Sequence, residues 1–426
     1  MKRHLRIPLF LLISLLNSLA SYASNEMSFH QLGVKTGMSD NYIQAIERDK
    51  YGFMWFATRD GLNRYDGYHF KTYTTLRQGA YNNSVEWVAE DAAGNIWIKT
   101  PVNYCFYDRE MDELDNRTEL LLHKIGIFES PRQLFIDDDK NLWCVADNTL
   151  YYYIFSDETL YKQSLPGSVN IADMACRNKR CYILMTDGNV INIDWMHKSI
   201  TKLFHTEIHT TYMPHIYLDF SSRLWVYAPH SADVKCYSLT ENNWIDFAAR
   251  TELSRERTMI TTITDDGKGN IWIGTDGRGI FICPYNKEKG KVTRLFKDVD
   301  KLYSLPDNHV TYIYKDNRDV IWIGTGKQGV AYSGLNNLIF ENHYCPQLED
   351  VSCFYEDGEG KLWLGFDGEG IASYDKDKNT YTYYKSKNKE IPSDLIVCSF
   401  HDNKGRVWWG SFGGGAFYYQ NGQFTP

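Results

Sequence analysis

Apolar and polar positions alternate along this chain in short bursts, and most bursts end at Gly or Asp. The stretch 258–282, TMITTITDDGKGNIWIGTDGRGIFI, shows the unit clearly. Ile260 and Ile263 mark one strand that stops at Asp265 and Asp266. A tight turn over 267–269 leads into a second strand at 271–273, and a further turn at 274–277 into a third at 279–282. A stretch such as 294–296 supplies a fourth, outer strand. The pattern predicts one small antiparallel sheet per unit.

A tryptophan marks the second strand of most units: Trp55, Trp97, Trp143, Trp225, Trp272, Trp322, Trp363 and Trp408. The intervals are 42, 46, 82, 47, 50, 41 and 45 residues. The long gap holds a worn copy centred on Tyr182, which brings the total to nine copies. Strand-and-turn units repeating at this period predict an all-β chain, a β-propeller of four-stranded antiparallel blades. Aromatic residues make up 15% of the chain, which favours sheet over helix. A blade cannot bury both faces alone, and the indole is the plate that fills the wedge against its neighbour.

An aspartate stands six residues before each tryptophan: Asp49, Asp91, Asp137, Asp219, Asp266, Asp316, Asp357 and Asp402. Such a carboxylate accepts hydrogen bonds from its own turn. Gly52, Gly94, Gly269, Gly360 and Gly405 stand three before, where positive φ is expected. A group repeated in every unit serves the unit, and the acidic runs lack the alternating ligands of a calcium loop. No metal, no cofactor and no catalytic residue is therefore expected.

The first copy reads GMSDNY at 37–42, then DKYGFMWFATRDGLNRYDG at 49–67. IWIGTDGRG at 271–279 and IWIGTGKQG at 321–329 repeat the phrase. These stretches resemble the two-component regulator propeller repeats. The resemblance implies the periplasmic sensor region of a hybrid two-component protein from glycan-degrading Gram-negative bacteria. There, two seven-bladed propellers precede an immunoglobulin-like domain, a membrane span, a histidine kinase and a response regulator that binds DNA. On that basis 28–338 is expected to form a seven-bladed propeller, and 339–426 the first two blades of a second. No kinase segment or later span is present, so the chain reads as a truncated sensor. Phe29 to Leu32 reads as an outer strand with no blade before it, able to close a ring by pairing with a later copy; 340–344 looks similar.

Lys2, Arg3 and Arg6 precede an apolar run over 7–19, and small residues follow to Ala23. This predicts a signal peptide over 1–23 and a periplasmic location. Removing it takes three basic residues and no acids, so the net charge moves from −8 to −11. An acidic body argues against nucleic acid as a partner. Nine cysteines show no metal-type spacing. Cys176 and Cys181 flank one turn and read either as a disulfide clip or as two reduced strand thiols.

In a propeller, the loops after the Trp strand and those entering the inner strand share one rim. The first set carries Arg59, Lys99, His230, Arg278 and Lys327. The second carries Tyr42, Trp87, Arg132, Tyr212, His215, Arg257 and His309. Aromatic faces stack on sugar rings, and Arg or Lys pairs with uronate or sulfate groups. These twelve are the candidate contacts for an oligosaccharide, an anionic one included, at this rim or at the junction with the second ring. The plainer reading has the loop charges balanced by Asp60, Asp147, Asp233 and Asp276. Two other functions compete: a glycan-cleaving propeller enzyme, which needs a unique carboxylate pair, and a scaffold for protein partners. Pairing of two copies is left open.

Overall fold

The computed structural model describes residues 27–74, 83–165, 170–177, 180–195, 197, 199–208, 212–246, 258–284, 292–301, 303–335, 350–357, 361–375, 378 and 380–426. The signal peptide at 1–23, Arg257 and the strand expected at 340–344 lie outside them. The described residues form nine four-stranded antiparallel sheets, numbered here in chain order. The chain divides into two compact units, 1–340 with seven of the sheets and 341–426 with two. No helix among the described residues is long and apolar enough to cross a membrane.

Each sheet follows the phrase that predicted it. In the sixth, Ile260–Asp265 pairs with Asn270–Thr275, then Ile280–Pro284, then Thr293–Leu295. The seventh differs, because its fourth strand is His30–Leu32 from the start of the chain, paired with Val330–Gly334. The turn there tolerates no side chain: Gly329 has φ 76°, and a Cβ on it would lie 2.1 Å from the Leu32 carbonyl oxygen.

All the repeat tryptophans except Trp408 sit between sheets. Trp55 packs with Val88, Ile98 and Tyr107 of the second sheet. Trp143 packs with Met174 and Ile183 of the fourth, and Trp225 with Ile263 and Ile273 of the sixth. Trp322 packs with Ile43, Ile46 and Phe56 of the first sheet, so the packing returns to its start. Each buried indole removes about 200 Å² of surface from water, worth roughly 5 kcal/mol before entropic costs.

The repeated aspartate does more than hold its turn. In all eight Trp-bearing copies its Oδ2 accepts a hydrogen bond from the Trp Nε1, at 2.8–3.3 Å. The other oxygen accepts backbone N–H groups of the turn, as Asp91 does from Asn95. The indole therefore buries its N–H with a partner, which an apolar wedge alone would leave costly. Three residues after each of these aspartates, every described residue has positive φ, including Lys140, Ser222 and Asp319 where glycine is absent. The fourth sheet lacks both partners of the lock. Tyr182 replaces the indole, and Cys176, at the aspartate position, is joined to Cys181 as a disulfide across the hairpin.

Polar contacts connect neighbouring sheets around the rim that carries the aspartate turns. Arg48 pairs with Asp316 at 3.0 Å, the Lys50 N–H donates to Glu90, and the Ala92 N–H donates to the Lys140 carbonyl. Arg177 pairs with Asp138 on one side and lies over the Phe220 ring on the other. Tyr217 donates to Asp265, and Lys268 faces Asp319. All seven junctions of the first unit are bridged here.

Candidate upper-rim binding site

The opposite rim is built from loops that bond across blades. The Gly329 N–H donates to the Asn41 carbonyl, Gly279 to Asn308, and Gly61 to Asn83. These bonds set the loop after one Trp strand against the loop that enters the next sheet. Side chains from non-adjacent positions in sequence are thereby brought together.

Five of the twelve candidates form one arc over the first, seventh, sixth and fifth sheets. The Arg59 guanidinium lies 3.4 Å from the Tyr42 ring centre. Tyr42 meets His309 edge-on, with ring centres 6.1 Å apart. His309 and His230 both turn Nδ1 toward Asp276, at 3.7 and 3.4 Å. Tyr212 lies 5.4 Å from the His230 ring. Gly326 makes room for this, since a Cβ there would stand 2.5 Å from the His309 Nδ1. The His309 Nε2 is buried and has no hydrogen-bond partner.

Two more candidates, Lys99 and Arg132, line a cleft of about 410 Å³ between the second and third sheets, with Thr100, Asn103, Tyr104 and Asn116. Neither cation is idle. Lys99 pairs with Glu86 at 2.9 Å, and this contact outweighs burial, which acts the other way, and raises the ammonium pKa. Arg132 donates to the Asp147 carbonyl and to Asn170.

The remaining candidates are placed differently. Trp87 is half-buried and packs on the core around Trp97 and Leu134, so its face is largely used by the fold. His215 Nδ1 contacts Asp173 at 2.9 Å. Burial would lower the His215 pKa, but the Asp173 carboxylate prevails and raises it. Arg278 donates to Thr258, and the Lys327 backbone N–H donates to Asp307. Among the described residues, neither the Arg59 guanidinium nor the Lys327 ammonium pairs with a carboxylate.

Of the loop carboxylates, Asp276 faces two imidazoles, and Asp60 accepts a hydrogen bond from Asn83. Asp173 was missed as a site residue because it sits in a sheet whose phrase is worn. Among the described residues, no group of three or more His, Cys, Asp or Glu is placed to hold a metal ion.

Comparison with known proteins agrees with this architecture. Residues 37–60, 256–277 and 304–327 match the two component regulator propeller family. A stretch of 37 residues, 9% of this chain and 3% of the relative, is 51% identical to histidine kinase P4 of Formosa agariphila. Among solved structures, the chain resembles a protein described as the extracellular domain of a hybrid two-component system from B. thetaiotaomicron. The TM-score is 0.54 at 24% identity, covering 93% of this chain and 54% of that one. A second such domain from the same organism gives 0.54 at 18% identity, covering 94% and 53%. The chain thus spans about half the length of the solved domains it resembles.

Proposed function

From a chain that carries the two component regulator propeller repeat, we infer a ligand-sensing module of a hybrid two-component signalling system. It is exported, works outside the cytoplasm, and binds an oligosaccharide released by polysaccharide breakdown. The segment performs no chemistry of its own; a kinase and a DNA-binding regulator, fused in full-length relatives, act on the signal and control glycan-utilisation genes. The seven sheets over 28–338 constitute one propeller, and the two over 339–426 begin a second.

The observation that supports binding at the upper rim is the arc from Arg59 to Tyr212. It alternates aromatic faces with hydrogen-bonding groups across four blades, which is the chemistry a sugar ring requires. The opposite rim is crossed by the polar bridges between sheets. Titration calorimetry of the purified chain against a panel of neutral and acidic oligosaccharides tests the reading. Binding is expected for at least one member, with Tyr42→Ala or Tyr212→Ala weakening it by about tenfold, roughly 1.4 kcal/mol. Indifference to every saccharide in the panel would sink it.

A further inference from the structure

Resting on the oligosaccharide reading, we propose that the ligand carries an acidic group, a uronate carboxylate or a sulfate ester, received by Arg59, Lys327 and His309. The argument starts from which charges at the arc are already spent. Asp307 accepts the His309 backbone N–H through one oxygen and the Lys327 N–H through the other, both at 3.1 Å. Asp276 faces two imidazoles, and Asp60 holds Asn83 at 2.8 Å. The local acids are satisfied by groups of the rim itself.

The cations are not. Arg59 lies over the Tyr42 ring, 3.4 Å from its centre, and, among the described residues, has no carboxylate partner. Its planar fork is held in place by that contact while its N–H edge stays available, the geometry that suits a carboxylate or sulfate. Lys327 stands on the adjacent seventh sheet in the equivalent loop, with only its backbone engaged. Between these blades lies His309, whose Nδ1 points to Asp276 and whose Nε2 is buried without a partner. With the ring proton on Nε2, that nitrogen has an N–H to offer an incoming oxygen. A neutral sugar can hydrogen-bond these groups but leaves the guanidinium and the ammonium without a counter-charge. An acidic group supplies it.

The test uses the full chain, with tetragalacturonate and a sulfated heparin tetrasaccharide as acidic probes and galactotetraose as the neutral control. In low salt, one acidic probe is expected to bind at least about tenfold more tightly than the neutral control. The combined Arg59→Gln and Lys327→Gln variant is expected to erase that preference. Tyr42→Ala is expected to weaken acidic and neutral ligands alike. The two acidic probes distinguish uronate from sulfate. Equal affinity for acidic and neutral probes, or a preference that persists in the double variant, would overturn the inference and leave the oligosaccharide reading standing. Silence of all three probes, together with a silent panel, would overturn both.

Discussion

Trp322 and Trp408 occupy the same place in the same phrase, each bonded to the aspartate six residues before it, yet their surroundings differ. Trp322 is 8% exposed and packs on Ile43 and Ile46 of the first sheet. Trp408 belongs to the ninth sheet, is half-buried, and meets Tyr418, Arg406 and Asp402 of its own blade. The fold of the hairpin is set inside the repeat; burial is set by the neighbour. Each sheet of the first unit is bridged to two neighbours, whereas Trp408 contacts residues of its own sheet.

Replacing the indole in each region sharpens the contrast most. Trp143 is 0% exposed and stacks on Tyr152 with ring centres 3.9 Å apart. Trp143→Ala is expected to cost about 3–5 kcal/mol, and Trp408→Ala about 1 kcal/mol or less. Thermal unfolding of the two variants measures both. Equal losses would mean that the ninth sheet is packed as tightly as the third.

A second test separates the regions by charge. Glu47, Tyr355 and Phe400 all stand opposite the Trp of their own sheet in register. Only Glu47 puts a carboxylate in the interior, where Glu90 is close and Lys140 reaches it from the third sheet. Burial raises the Glu47 pKa from 4.5 to about 7, against the pull of Lys140. The native state then keeps a proton that the unfolded chain has lost, so this group favours folding below pH 4.5 and the benefit disappears as pH rises toward 7. The span is worth at most about 3 kcal/mol. Glu47→Gln is therefore expected to flatten the decline of the urea midpoint between pH 5 and pH 8. It should not abolish it, because burial also raises Asp137, to about 6, and Glu90. An unchanged slope would refute the assignment.

The repeat itself was legible in the sequence because its cause is local. The spacing of Asp, Gly and Trp follows from one hairpin, and so do the strands, the turn conformation and the wedge position of the indole. The bond from each indole N–H to its aspartate was not legible, although both residues were singled out, since a spacing of six does not say which atoms face each other. The pairing of His30–Leu32 with Val330–Gly334 was foreshadowed by a strand without a blade. The rim was harder. Loop position identified Arg59, Tyr42, His230 and His309, but the meeting of the two histidines around Asp276 depends on the stagger between sheets. Trp87 shows the converse: an aromatic at a rim position that the fold had already used.

The smallest expected effect lies on the leading face of the eighth sheet. Val351 stands opposite Phe366 as Ile43 stands opposite Thr58, and Phe354 opposite Leu364 as Ile46 opposite Phe56. Ile43 and Ile46 are 0% and 1% exposed, while Val351 and Phe354 are 50% and 73% exposed. The positions that are buried against the seventh sheet in the first unit are therefore exposed at the start of the second. Val351→Ser combined with Phe354→Ser is expected to change stability by no more than about 0.5 kcal/mol, because little apolar area is returned to water. It should also lower self-association, since two large apolar groups on one open face form a sticky patch. Unfolding in urea and light scattering at matched concentration read the two effects. A loss of about 2 kcal/mol or more would show that this face is covered in solution, and the contrast between the two units would then fail at its clearest position.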